Sequence, residues 1–167
     1  MKVRKIWIAV LCVVIGVVWW VVRPQSLVYV AGIADKAEQI TRYSISAVDD
    51  DVEQCWVTEP EDMQEIWKAL ETSKVTFVPK YAKSVTYDGD QIMYHLRIYE
   101  GEKPVAELGF LDDGRVLGDT WEYRYKGENP AAWTQMLKGL LEKDFVTAEL
   151  GVYSVYDRFF ELWLKRL

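Results

Sequence analysis

Cys55 and His95, the latter the single histidine of the chain, are the residues from which covalent chemistry could be built. A thiolate attacks a carbonyl when an imidazole takes its proton and a cation, here Arg97 or Arg115, steadies the developing oxyanion. That set would make a hydrolase. Nothing in the spacing brings the members together, and both residue types occur singly in ordinary domains. The plainer reading of Cys55 is a small apolar residue buried beside Trp56 and Val57. No Gly-x-Ser-x-Gly elbow, Ser-x-x-Lys pair or His-Glu-x-x-His helix is present, so serine and zinc hydrolases lack their signatures. No catalytic residue is assigned.

Metal chemistry is equally short of ligands. Zinc would have to use His95 and Cys55 with carboxylates, and calcium would need a loop of oxygens. Asp49 to Asp51, Asp88 with Asp90, and Asp112 with Asp113 sit in predicted turns, none with the EF-hand pattern, and read as solvated turn residues. Neither a metal site nor a cofactor is expected. Two carboxylates spaced for glycoside hydrolysis can always be found among many acids, so they carry no weight here.

The elements that must position any site follow from periodicity. Ile40 to Val48 and Gln54 to Thr58 read as a hairpin. Thr58 and Glu61 have capping-box spacing, Pro60 suits a first helical turn, and Met63, Ile66, Trp67 and Leu70 form one apolar stripe. A period of two then takes over. A short strand from Val75 to Val78 ends at Pro79. Gln91 to Tyr99 alternates, Glu100 to Lys103 turns, Val105 to Leu111 returns, Asp112-Asp113-Gly114 turns again, and Trp121, Tyr123 and Tyr125 alternate with charged residues. Asn129 and Pro130 start a second helix with Trp133, Met136, Leu137, Leu140 and Leu141 inward. A third, aromatic helical stripe is expected through Val152, Val155, Tyr156, Phe159, Phe160, Trp163 and Leu167.

In the strand Gln91 to Tyr99, alternation sends Ile92, Tyr94, Leu96 and Ile98 toward the core. Met93, His95, Arg97 and Tyr99 are therefore the candidate partner-binding residues, projecting together from the other side. A thioether, an imidazole, a guanidinium and a phenol offer both contact area and directed hydrogen bonds. The other tryptophans fall mostly on predicted core faces.

The N-terminus sets the expected location. Met-Lys-Val-Arg-Lys precedes seventeen apolar residues, Ile6 to Val22, closed by Arg23-Pro24. Such a run reads as a single membrane span of roughly 26 Å, and Lys2, Arg4 and Lys5 place the N-terminus in the cytoplasm with the rest outside. A cleaved signal fits less well, because the apolar run is long and no small-x-small site follows it closely. The expected division is a basic start and anchor over 1–23, a connector over 24–39 and an extracytoplasmic domain over 40–167. The net charge of −6 becomes −10 once the four cations of residues 1–23 are set aside. An acidic domain repels nucleic acid, so the expected partners are the membrane, through the N-terminal helix, and a protein, peptide or glycan.

Taken together, the basic start, the span, the hairpin, the helix Thr-Glu-Pro-Glu-Asp-Met-Gln-Glu-Ile-Trp, the meander with Tyr-His-Leu-Arg-Ile-Tyr and Gly-Phe-Leu-Asp-Asp-Gly-Arg-Val, and the Trp-Thr-Gln-Met-Leu helix resemble the small membrane-anchored extracytoplasmic domains of unknown function found in Gram-positive bacteria. The resemblance runs over about residues 40 to 142 and implies export and an α+β fold, with no activity attached. It differs from the lipid-anchored members in having Leu11 before Cys12. It differs from sortases in placing Cys55 before His95 and in lacking their Thr-Leu-x-Thr-Cys strand. The expected architecture is α+β, one antiparallel sheet made of a hairpin plus a meander with two or three packed helices, behind one N-terminal transmembrane helix. The expected function is that of a non-catalytic binding module, with an envelope-acting hydrolase and a structural membrane subunit as the alternatives.

Overall fold

The computed structural model describes residues 7, 10–16, 18–19, 23–48, 53–82, 92–144, 146–149 and 152–155. The turns expected at Asp49 to Asp51 and at Asp88 to Asp90, and the aromatic residues from Tyr156 to Leu167, lie outside these. So does much of the apolar run. Its described residues 7, 10–16, 18 and 19 are helical. Among the described residues no helix is long and apolar enough to cross a membrane. The expected N-terminal transmembrane helix is thus corrected, because an apolar run meets one condition for a span and a helix of crossing length is the other.

The chain is α+β. Strands β1 (Gln25–Ser26), β2 (Arg42–Val48), β3 (Glu53–Val57), β4 (Lys74–Tyr81), β5 (Met93–Glu100), β6 (Lys103–Phe110), β7 (Arg115–Leu117) and β8 (Trp121–Tyr125) form one antiparallel sheet in the order β1-β4-β8-β7-β6-β5-β2-β3. Helices α1 (Leu27–Val30), α2 (Pro60–Thr72) and α3 (Ala132–Asp144) accompany it, and β9 (Val146–Glu149) pairs with β10 (Val152–Val155) as a separate hairpin.

Strands β5 to β8 are the meander read from the sequence, and its turns carry the reason. Gly101 and Gly114 have φ of 59° and 81°, which only glycine adopts without strain. At the second turn, Asp113 Oδ1 accepts the Arg115 N–H at 3.0 Å. A side chain on Gly114 would also meet Pro130 at 3.2 Å, so this turn is packed against the entry to α3. β4 runs on to Tyr81, past the expected stop at Pro79. Proline has no N–H to give to the ladder, and the register with β8 shifts between Val78 and Tyr81 instead of ending. β5 begins at Met93, and Ile92 is exposed just before it, not directed inward.

One side of the sheet is the core. Tyr43, Ile45 and Ala47 on β2 pair with Ile98, Leu96 and Tyr94 on β5, which in turn face Ala106, Leu108 and Phe110 on β6. Ile66 and Leu70 of α2 and Trp133, Leu137, Leu140 and Leu141 of α3 pack against this surface, as do Leu27, Val28 and Ile33 from residues just after Pro24. Trp133 stacks on Phe110 with ring centroids 4.6 Å apart, and its indole N–H donates to Ser73 Oγ at 3.0 Å. Burial pushes the Tyr43 phenol up to about 12 and the Tyr123 phenol in the same direction.

The helix ends depart in detail from expectation. Pro60 at the first turn makes Glu59 the N-cap of α2, with no side-chain cap, so the Thr58 capping box does not form. Asn129 holds the turn before α3, its Oδ1 accepting from the Ala131 N–H at 3.1 Å and its Nδ2 donating to Gln135 Oε1 at 3.0 Å. The expected third helix is corrected for the four residues that are described, since Val152–Val155 are a strand. Val152, Tyr153 and Val155 are β-formers, and pairing with β9 outweighs the helical spacing of their apolar positions.

Candidate ligand-binding face

With the helices packed on one side, the alternate residues of every strand point to the other. On β2 these are Arg42, Ser44 and Ser46, on β3 Gln54 and Trp56, and on β5 Met93, His95, Arg97 and Tyr99. Glu107 and Gly109 continue the face on β6, Arg115 and Leu117 on β7, and Glu122 and Arg124 on β8. Four of the five arginines among the described residues therefore share one face, although β2, β5 and the β7–β8 pair are well separated in sequence.

The four residues expected to bind a partner are brought together unevenly. His95, Arg97 and Tyr99 are part-exposed in sequence along β5. Met93 stands on the same face but is buried at 8% exposure against Ala82, Leu111 and Leu117, so it serves as packing. Residue alternation revealed the shared face but not its neighbours.

Those neighbours make the chemistry. Arg97 donates from Nε to Glu107 Oε2 at 3.1 Å, and His95 Nδ1 lies 2.9 Å from Glu107 Oε1, so the ring donates from Nδ1. Partial burial pushes the Glu107 carboxyl up, but the hydrogen bond and charge of Arg97, joined by those of His95, outweigh it and hold the group below its ordinary value. Arg97 is raised, chiefly by its hydrogen bond to Glu107. At the corner of the sheet the Arg42 guanidinium lies 4.5 Å from the Trp56 ring centroid and 5.2 Å from that of Tyr99. The two rings meet edge to face at 5.2 Å. Trp56 remains 44% exposed. Arg42 also reaches Glu102 at 2.6 Å, but Glu102 is 91% exposed, and such a pair is worth about 0–1 kcal/mol. The Arg42 Nε is a buried donor with no acceptor among the described residues.

At the far corner Arg115 and Arg124 are direct cross-strand partners. Like charges so placed repel, and Asp113 relieves them, its carboxylate taking Arg115 at 2.6 Å and its carbonyl accepting from Arg124 at 3.2 Å. Glu122, 3% exposed, is met by Lys80 at 3.8 Å. The helical side has the opposite charge balance, with Glu61, Asp62, Glu65 and Glu71 on α2 against Lys68 alone. The acidity of the chain as a whole thus conceals a sheet face where arginines, each near a carboxylate or carbonyl of its own, stand beside aromatic rings.

Cys55 is not part of that face. It points to the core side of β3 and is buried, whereas His95 projects from the opposite side of β5, with β2 between them. A cavity of about 320 Å³ beside Cys55 is lined by Val57, Glu59, Asp62, Leu140 and Lys143, and the 2.8 Å Lys143–Asp62 pair brings Lys143 to the side of α2. Among the described residues no three of His, Cys, Asp and Glu converge as metal ligands. Arg42, Trp56, Glu107 and Arg124 are candidates for this face that sequence reasoning missed, and Arg115, considered there only as a cation for Cys55, stands on it too. The signal available for them was strand parity, legible only once the pairing of β2 with β5 and of β7 with β8 is known.

Residues 115–166 match the model of a family described as a probable winged helix domain. No curated protein and no solved structure is significantly similar to the chain. The matched stretch is under a third of the sequence and includes β7, β8, α3 and the β9–β10 hairpin. Within that stretch α3 runs directly into the β9–β10 hairpin, while β7 and β8 belong to the large sheet.

This match corrects several expectations at once. The similarity to small membrane-anchored extracytoplasmic domains gives way to similarity with a probable winged helix domain. The single-pass location, with the N-terminus cytoplasmic and the C-terminal domain outside, has no membrane-crossing helix among the described residues to support it. The expected partners, a membrane and a protein, peptide or glycan, and the exclusion of nucleic acid, are likewise overturned by that match. The physical error in the exclusion was to average charge over the chain, when a partner meets one face.

Proposed function

We propose that the chain is a non-catalytic binding module that takes an anionic partner on its open sheet face. The observation that carries this reading is the gathering of Arg42, Arg97, Arg115 and Arg124 on one side of the sheet with the acidic helix α2 on the other. Arginine suits the task because its planar fork makes paired hydrogen bonds to carboxylates and phosphates and its face packs on aromatic rings. The face is made chiefly of groups that pair with anions and pack on rings, an arrangement that favours recognition over reaction.

The test is retention of the full chain on immobilised heparin, a generic polyanion, over a salt gradient. Elution should require added salt, and the Arg97→Ala, Arg124→Ala double variant should emerge earlier with an unchanged melting temperature. Flow-through of the native chain at low salt would overturn the reading.

A further inference from the structure

Resting on that reading, we propose that the anionic partner is a single-stranded nucleic acid whose bases stack at the Trp56–Tyr99 corner while its phosphates follow the arginines across the sheet. Cations alone would suit any polyanion, and the rings narrow the choice. Trp56 is 44% exposed at the end of the sheet, and Tyr99 is set edge to face with it at 5.2 Å. An unpaired base presents a π-face to such rings, whereas a duplex hides its base faces and acidic side chains carry no aromatic ring. Arg42 stands beside both rings, 4.5 Å from the Trp56 centroid and 5.2 Å from that of Tyr99, with an Nη turned to the exposed Glu102. A phosphate at that corner would take the Arg42 Nη in place of the exposed Glu102 carboxylate.

Arg97 and Arg124 extend the path. They stand on β5 and β8, three sheet spacings apart, or roughly 14 Å across the face. Between them on β6 stands Glu107, which pairs with Arg97 at 3.1 Å and which a phosphate would displace from that guanidinium. Arg115 and Arg124 of this face lie within the segment that matches the probable winged helix family. The surface proposed here is the sheet, not α3. The rest of the chain is acidic, so binding is confined to a short stretch of strand and is salt-sensitive.

The experiment is fluorescence anisotropy of a labelled oligo-dT about 15 nucleotides long, titrated with the full chain at several salt concentrations. Trp56→Ala should weaken binding about tenfold and leave the salt dependence unchanged, because stacking releases no counterion. Arg97→Ala and Arg124→Ala should each flatten the slope of log affinity against log salt by about 0.7. Trp56→Phe should restore part of the loss, which separates stacking from misfolding. Equal or tighter binding of a blunt duplex, or a Trp56→Ala variant as tight as the native chain, would overturn the assignment. If polyglutamate binds through the same arginines and oligo-dT does not, the single-strand assignment falls while the anionic-partner reading survives. If neither binds, both fall.

Discussion

Cys55 and His95, the one pair from which covalent chemistry could be assembled, stand on opposite faces of the same sheet with β2 between their strands. Cys55 is in the core at 4% exposure and His95 hydrogen-bonds Glu107 on the open side. No rotamer change carries a side chain through a sheet, so the pair cannot act together without dismantling the fold.

Replacing Cys55 by Ala should therefore read as a packing change. The expected cost is about 1–2 kcal/mol in chemical denaturation, with heparin retention unchanged. Alkylation of the native chain at this position should be slow and should accelerate only in denaturant.

Glu107 predicts a pH dependence of defined sign. Its folded carboxyl titrates below its ordinary value of about 4.3, so the stability it contributes is present above that value and is lost as pH falls through the lower, folded one. Some 40% of the side chain is exposed, and screening limits the contribution to under about 1 kcal/mol. The difference in melting temperature between the native chain and Glu107→Gln should be constant near neutrality and shrink below about pH 4. A difference that grows on acidification would contradict the assignment.

The Trp133–Ser73 hydrogen bond ties α3 to the end of α2 inside the core. Ser73→Ala leaves the indole N–H without its partner and should cost about 1–3 kcal/mol. Made in a Trp133→Phe background, where no donor is orphaned, the same change should cost less. Equal costs in the two backgrounds, measured by urea denaturation, would show that the bond is not a coupled contact.

Local order was largely legible. The β2–β3 hairpin, α2, the meander and α3 each follow from periodicity, prolines and turn residues acting over a few positions. That Tyr94, Leu96 and Ile98 lie inward follows from alternation, as does the shared face of Met93, His95, Arg97 and Tyr99. Where local signals were ambiguous they misled. Val152–Val155 carried helical spacing but pair as a strand, and the run from Ile6 to Val22 carried the length of a span without a membrane-crossing helix among its described residues.

Sequence by itself determined which residues alternate, where glycine must turn the chain at 101 and 114, and that the whole is acidic. Tertiary structure alone decided that β4 lies outside β8 and that β2 lies beside β5, and so that Arg42 meets Trp56 and Tyr99, Arg97 meets Glu107, and Arg115 faces Arg124. The physical reason is range. Turn and period preferences act within a few residues, while strand neighbours are chosen by burying a common apolar surface under α2 and α3, and the charged face on the other side inherits whatever order that burial imposes.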